Sequence, residues 1–245
     1  MFKKTALIVI FVVFVISAGH CSTSTWLMKK KLSIVIDDMG YDKNLAYKFL
    51  SLNMPLAYSF LPDATYSTQL SNRFGERGYT VMIHMPSEPI DYPKDNPGKN
   101  AIYTTTSREK TFYLLNRAYE NVHYAMGLNN HMGSKILQDK RHLDYIMEFL
   151  KTKHLFFIDS ATIADSLGCK EAKKFDILCA RRRVFLDNIK NVNYIKGQIE
   201  LAVKMLKKRN SVVAIGHCSE ATYEALREEK KLLKPYIIDV EYIVQ

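Results

Sequence analysis

The 245-residue sequence predicts a single α/β domain built as a barrel, complete or incomplete, of seven to eight mostly parallel strands. Three observations carry this expectation. Short apolar, β-rich runs alternate with helix-period segments, the order of a parallel sheet with crossover helices. Most runs are apolar at consecutive positions, as strands covered on both faces are. No GxGxxG and no GxxxxGK[ST] follows any run, which argues against an open nucleotide-binding sheet.

The strand-like runs are "LSIVID" (32–37), "LAYSFL" (56–61), "YTVMIH" (79–84), "YAMGL" (124–128), "LFFID" (155–159), "FDILCA" (175–180), "SVVAIGH" (211–217) and "YIIDV" (236–240). Helical segments lie between many of them. "DKNLAYKFLSL" opens on Asp42, an N-cap residue type, and "DKRHLDYIMEFLKTK" opens on Asp139. "TSREKTFYLLNRAYENV" carries an apolar face, and "NYIKGQIELAVKMLKKR" ends in cations, which suit a helix C-terminus. No repeat, low-complexity tract or Pro/Gly-rich linker divides the chain after residue 31, so residues 32–245 read as one domain.

Residues 1–21, "MFKKTALIVIFVVFVISAGHC", have a positive start, an apolar run over Ala6–Ile16 and small residues after it, the layout of a secretory signal peptide. The run is short for a membrane span. An uncleaved N-terminal anchor and lipidation at Cys21 stay open as alternatives, although His20 stands where a lipobox carries Gly or Ala. Residues 22–31 form a short tether. Each version places the domain outside the cytoplasm, in the periplasm or an equivalent space, with the membrane met only through the N-terminal segment. There Cys169 and Cys179 can pair as a disulfide. The absence of any CxxC removes a zinc-ribbon site. The formal charge of +10 is spread over short basic clusters ("MKKK", "RRR", "KKR"). It reads as solvated surface, or as attraction to an anionic envelope polymer or membrane. No nucleic-acid partner is expected, because no binding motif accompanies the charge.

The functional signal sits at the ends of the runs. Asp37 and Asp38, His84, His131 in "NNHMGS", Asp159 with Ser160, and His217 each stand at or just beyond the C-terminal end of a run. In a parallel barrel these ends converge on one face, where active sites lie. Each residue alone has an ordinary reading as a cap, a turn former or a hydrogen-bonded side chain. Together they point to a metal site, because a strand-end carboxylate inside a fold needs a compensating charge.

These stretches resemble the divergent polysaccharide deacetylases, an exported branch of the carbohydrate-deacetylase superfamily. The resemblance runs through "IVIDDMGY" (34–41), "HMPSEP" (84–89), "GLNNHMGS" (127–134), "FIDSAT" (157–162), "RRVFLDN" (182–188) and "IGHCSEAT" (215–222). It implies a distorted (β/α) barrel. It also implies Asp37 as general base, Asp38 as metal ligand and His217 as general acid. The superfamily's H-x-x-x-H ligand motif is missing, so His84 and His131 are taken as the other two ligands, with Glu88 in reserve. Asp159 is taken as the carboxylate that keeps His217 charged. Asn130, Ser134, Ser160, Arg182 and Asp187 are taken as supporting or substrate-contacting residues. Ser87, Arg183 and Cys218 depart from the family pattern, which has Met, Asp and Pro there.

Two histidines and one aspartate suit Zn2+, with nickel, cobalt and iron as alternatives. The implied reaction is removal of N-acetyl groups from amino sugars of an envelope polysaccharide. The competing functions are a non-catalytic exported module that binds a glycan or an envelope partner, and an ester or phosphoester hydrolase on the same scaffold. Tyr41, Phe60 and Tyr103 are either sugar-stacking or core aromatics.

Overall fold

The computed structural model describes residues 30–244, so the expectations for residues 1–21 and most of the tether lie outside the described residues. Seven parallel strands close into a barrel in chain order. They are β1 (Lys31–Met39), β2 (Ala57–Phe60), β3 (Val81–Ser87), β4 (Ala125–Met132), β5 (Phe156–Asp159), β6 (Cys179–Phe185) and β7 (Ser211–His217). Closure comes from β1 against β7, paired without interruption from Lys31–Ser211 to Asp37–His217.

The crossover helices pack outside the barrel. α1 (Lys43–Ser51) is capped by Asp42, whose carboxylate accepts from Leu45 N. α2 (Ser67–Gly75) follows β2, and α3 (Arg108–Asn121) follows a long loop after β3. α4 (Lys140–Lys153) is capped by Asp139, which accepts from His142 N. α5 (Gly168–Lys174), α6 (Val192–Met205) and α7 (Glu220–Glu228) complete the ring.

The period of two along each strand divides the core into two layers. Ile34 and Ile36, Ile83, Leu128 and Phe157 belong to the large cluster between barrel and helices. Val35, Met82, Ile158, Val213 and Ile215 belong to a second cluster that fills the barrel interior. That alternation decides which strand-end residues can meet over the barrel.

Two runs differ from expectation. The run 236–240 is not an eighth barrel strand. It makes one bridge, Ile237 with Leu32. The segment then turns under the barrel, and Val240 and Ile243 join the interior cluster as its floor. The run 175–180 is displaced as well. Phe175 ends α5, and Ile177 N bonds back to Ala172 O, so these apolar residues seal a helix end. The strand begins at Cys179 and runs through three arginines, a composition that hides a strand from hydrophobic pattern. Cys169 and Cys179 are disulfide-bonded and tie α5 to the start of β6.

Candidate metal and catalytic site

The C-terminal strand ends surround a cavity of about 510 Å³. Inward parity selects its walls. Counting in steps of two from Val35, Met82 and Ile215 leads to Asp37, His84 and His217, which all line it. A register irregularity between Ile36 and Met39 lets β1 place a second carboxylate beside the first. Asp38 there has φ +57°, a left-handed conformation uncommon for a residue with a side chain. That backbone cost is accepted at the one point where both aspartates face the cavity.

Asp38, His84 and His131 converge. Asp38 Oδ1 lies 3.3 Å from His84 Nε2 and 3.1 Å from His131 Nδ1. The two ring nitrogens are themselves 3.1 Å apart. Among the described residues this is the group whose donor atoms could hold a metal ion. Asp38 Oδ1 is buried and, despite these short distances, has no hydrogen-bond partner. Three donors at such spacing fit a cation. Ligand atoms 2.0–2.1 Å from a tetrahedral centre lie about 3.3 Å apart, and about 3.0 Å apart around an octahedral one.

The tautomer of His84 also fits. Asn129 Oδ1 accepts from Ser59 Oγ at 2.6 Å and faces His84 Nδ1 at 2.8 Å. The amide's Nδ2 donates to both Asp37 carboxylate oxygens, at 2.9 and 3.1 Å, which fixes its orientation. His84 Nδ1 therefore carries the proton, and Nε2 is turned toward Asp38 and His131. Burial lowers the basicity of His84, but Asp37 and Asp38 outweigh it and raise its pKa. Burial pushes the Asp38 carboxyl up, yet the His131 and His84 imidazoles hold it well below the usual range. Asp37 goes the other way. Burial raises it, and the pull of His84, His217 and Asn129 does not cancel that rise.

His217 is held by Asp187, not by Asp159. Asp187 Oδ1 lies 3.1 Å from His217 Nδ1, and its Oδ2 accepts from His217 N at 2.8 Å and Thr222 Oγ1 at 3.0 Å. His217 Nε2 is left facing the site, 3.8 Å from Asp38 Oδ2. Burial lowers the pKa of His217, but Asp187, then Asp38 and Asp37, raise it to about 9. Asp159 is corrected on parity. Its neighbour Ile158 fills the barrel, so Asp159 points outward with Phe157 toward α5. There it accepts from Ala161 N at 2.9 Å and Ser166 Oγ at 2.9 Å, with Arg181 Nε at 3.8 Å.

Glu88 is corrected too. It accepts from Thr104 N at 2.6 Å and Lys135 Nζ at 2.8 Å, and so braces the loop after β3 away from the three donors. Ser134 Oγ accepts from Ile90 N in the same loop. Asn130 lines the cavity and accepts from Ser160 N at 3.1 Å. Arg182 lines the cavity, donates to Ser160 O and Ala161 O, and sits over the Phe185 ring at 4.7 Å. Of the three aromatics, Phe60 is core at 0% exposed, Tyr103 is half-buried against Tyr92, and Tyr41 stands exposed at the rim. The residue missed by sequence reasoning is Asn129. It shares inward parity with His131 and is the register partner of His84, so strand alternation was the signal that could have found it.

Comparison with known proteins follows this geometry. Residues 34–243 match the family described as divergent polysaccharide deacetylase. An uncharacterised Escherichia coli protein, YibQ, is 31% identical over 220 residues, covering 90% of this chain and 68% of that protein. An uncharacterised Agrobacterium tumefaciens protein of solved structure superposes with a TM-score of 0.82 at 18% identity, over 88% of this chain and 89% of the other. The catalytic domain of a peptidoglycan N-acetylglucosamine deacetylase from Eubacterium rectale superposes with a TM-score of 0.58 at 14% identity, over 86% and 88% of the two chains.

Proposed function

The chain belongs to the divergent polysaccharide deacetylase family, and from that premise we propose that it is a metal-dependent hydrolase removing N-acetyl groups from amino sugars of an envelope polysaccharide. Asp38, His84 and His131 would hold the ion, and their donor types favour Zn2+. A divalent cation supplies Lewis acidity, lowering the pKa of a water toward neutrality and polarising a carbonyl.

Asp37 is the general base. Its raised carboxyl pKa brings it closer to the pKa range useful for taking a proton from an attacking water near neutral pH. Asn129 holds both carboxylate oxygens and so fixes the direction in which Asp37 can accept. His217 is the general acid. An amine leaves poorly until protonated, and with a pKa of about 9 His217 carries its proton at neutral pH. Asp187 holds Nδ1, so the proton available for transfer is the one on Nε2. Arg182 fixes the loop after β5 that forms one wall.

The observation that carries this reading is the pair Asp37–Asp38 in one cavity. A metal binder or a glycan binder needs one carboxylate there, and only chemistry uses the second. The domain works in an exported compartment, which the apolar leader sequence and the bonded pair Cys169–Cys179 support. The test is a panel of acetamide, acetyl-ester and phosphoester substrates on zinc-loaded protein, with Asp37→Asn alongside. Acetamide turnover that the variant loses is the expected result. Metal binding with no turnover on any substrate would assign the binding-module function instead.

A further inference from the structure

Residues from basic runs far apart in sequence meet toward the end of the barrel opposite the catalytic rim, while Arg182, between Arg181 and Arg183, faces the rim cavity. Lys31 opens β1 beside Ser211, which opens β7. Lys30 Nζ donates to Arg209 O and Asn210 Oδ1, both at 3.2 Å, so Lys30 and Lys31 join the run 207–209. The third run, 181–183, lies in β6. β6 pairs with β7 only from Arg182–Val213 onward, with an irregularity between Arg182 and Val184. The two strands therefore part toward their N-terminal ends and open a cavity of about 310 Å³.

Arg181, Arg183 and Arg209 line that cavity, together with Ser211 and the Cys169–Cys179 bridge. Arg181 is partly engaged, with Ile163 O and Ala164 O as acceptors and Asp159 at 3.8 Å. Arg183 and Arg209 have no carboxylate within ion-pair distance among the described residues. Burial first, and then the nearby Arg209 and Arg181, push the pKa of Arg183 down. A cleft lined by one sign of charge focuses its field on a counter-ion. Guanidinium forks match the oxygens of a phosphate in particular. The disulfide braces one wall of the cavity.

We propose that this cavity between β6 and β7 is a binding site for a phosphate group, presented either as free phosphate or on a lipid headgroup. The headgroup source is sterically natural, because Lys30, where the sequence that begins with the apolar leader enters the barrel, stands at the same end.

The experiment uses the full chain in detergent, titrated with inorganic phosphate by calorimetry, and the full chain reconstituted with vesicles of phosphatidylcholine alone or with added phosphatidic acid. Arg183→Gln and Arg209→Gln are compared with Lys110→Gln, which removes the same charge from α3. Either source gives saturable binding weakened at least tenfold by each arginine variant and less than twofold by Lys110→Gln. Phosphate titration that responds assigns the soluble source, and a phosphatidic-acid preference alone assigns the headgroup. Asp38→Ala must bind as the wild type does, which separates this site from the rim. Absence of saturable binding in both arms, or equal binding by all variants, overturns the proposal.

Discussion

Replacing Asp187 with Asn removes one charge and keeps the shape of the side chain that holds His217. The carboxylate lies 3.1 Å from His217 Nδ1. A charge pair at that separation is worth about 1.3 kcal/mol in water and about 5 kcal/mol at an effective dielectric of 20. At about 1.4 kcal/mol per unit, these limits correspond to roughly one to four pKa units. His217 is 28% exposed, between the limits, and Asp38 and Asp37 keep part of the rise. The expected fall is therefore on the order of two units, from about 9 in the wild type. Imidazole ¹⁵N chemical shifts followed against pH read it directly. The same pair predicts a stability window. The folded pKa of His217 is raised, so its contribution is full below the unfolded value of about 6.5 and fades as pH rises through about 9. Burial pushes Asp187 up but His217 and Thr222 hold it lower, so its contribution is present above the unfolded pKa of about 3.9 and lost as pH falls through its depressed folded value. Wild type minus Asp187→Asn stability should be widest between about pH 5 and 6. A His217 titration unchanged by the substitution refutes the assignment of Asp187 as its holder.

Three further predictions concern other parts of the fold. Asn129→Leu strands the buried Asp37 carboxylate, Ser59 hydroxyl and His84 Nδ1, which should cost about 2–5 kcal/mol in denaturant unfolding and about 10–100-fold in metal affinity. An unchanged affinity removes Asn129 from the support of the site. Burial, then Asp42 and Asp38, push the Cys218 thiol up to about 12, so native alkylation at pH 8 should run about a thousandfold slower than for an ordinary thiol and quicken tenfold per pH unit. Equal rates in native and denatured protein would contradict that environment. Gly127 lies where a Cβ would fall 2.2 Å from Phe156 Cε2, so Gly127→Ala should destabilise by about 1–3 kcal/mol and lower the thermal midpoint by several degrees. A midpoint equal to wild type would mean that Phe156 moves freely.

The barrel was legible because its strands are buried on both faces and spaced by capped helices such as those opening at Asp42 and Asp139. The β6 strand was not, because three arginines carry it and the apolar residues before it belong to a helix end. The last apolar run fails as a strand for a similar reason: Val240 and Ile243 are apolar because they floor the barrel. Strand-end position alone was too coarse for the site. It grouped Asp159 with Asp37, although Ile158 and Val35 show that the two strand ends present opposite faces. The loss of Asp159 as the partner of His217 and the appearance of Asn129 follow from which side of a strand each residue takes, while Asp187 reaches His217 from the loop beyond β6. The irregularity that turns Asp38 inward depends on one left-handed residue, and no run of residue types announces it.

The central claim is that Asp38, His84 and His131 hold a divalent ion. Elemental analysis of the purified full chain beside its Asp38→Ala variant tests it most directly. The prediction is about one zinc or similar ion per wild-type chain, lost in the variant, as expected when one of three ligands is removed. A wild type that takes up no ion even after incubation with zinc, or a variant that retains the same content, would contradict the account.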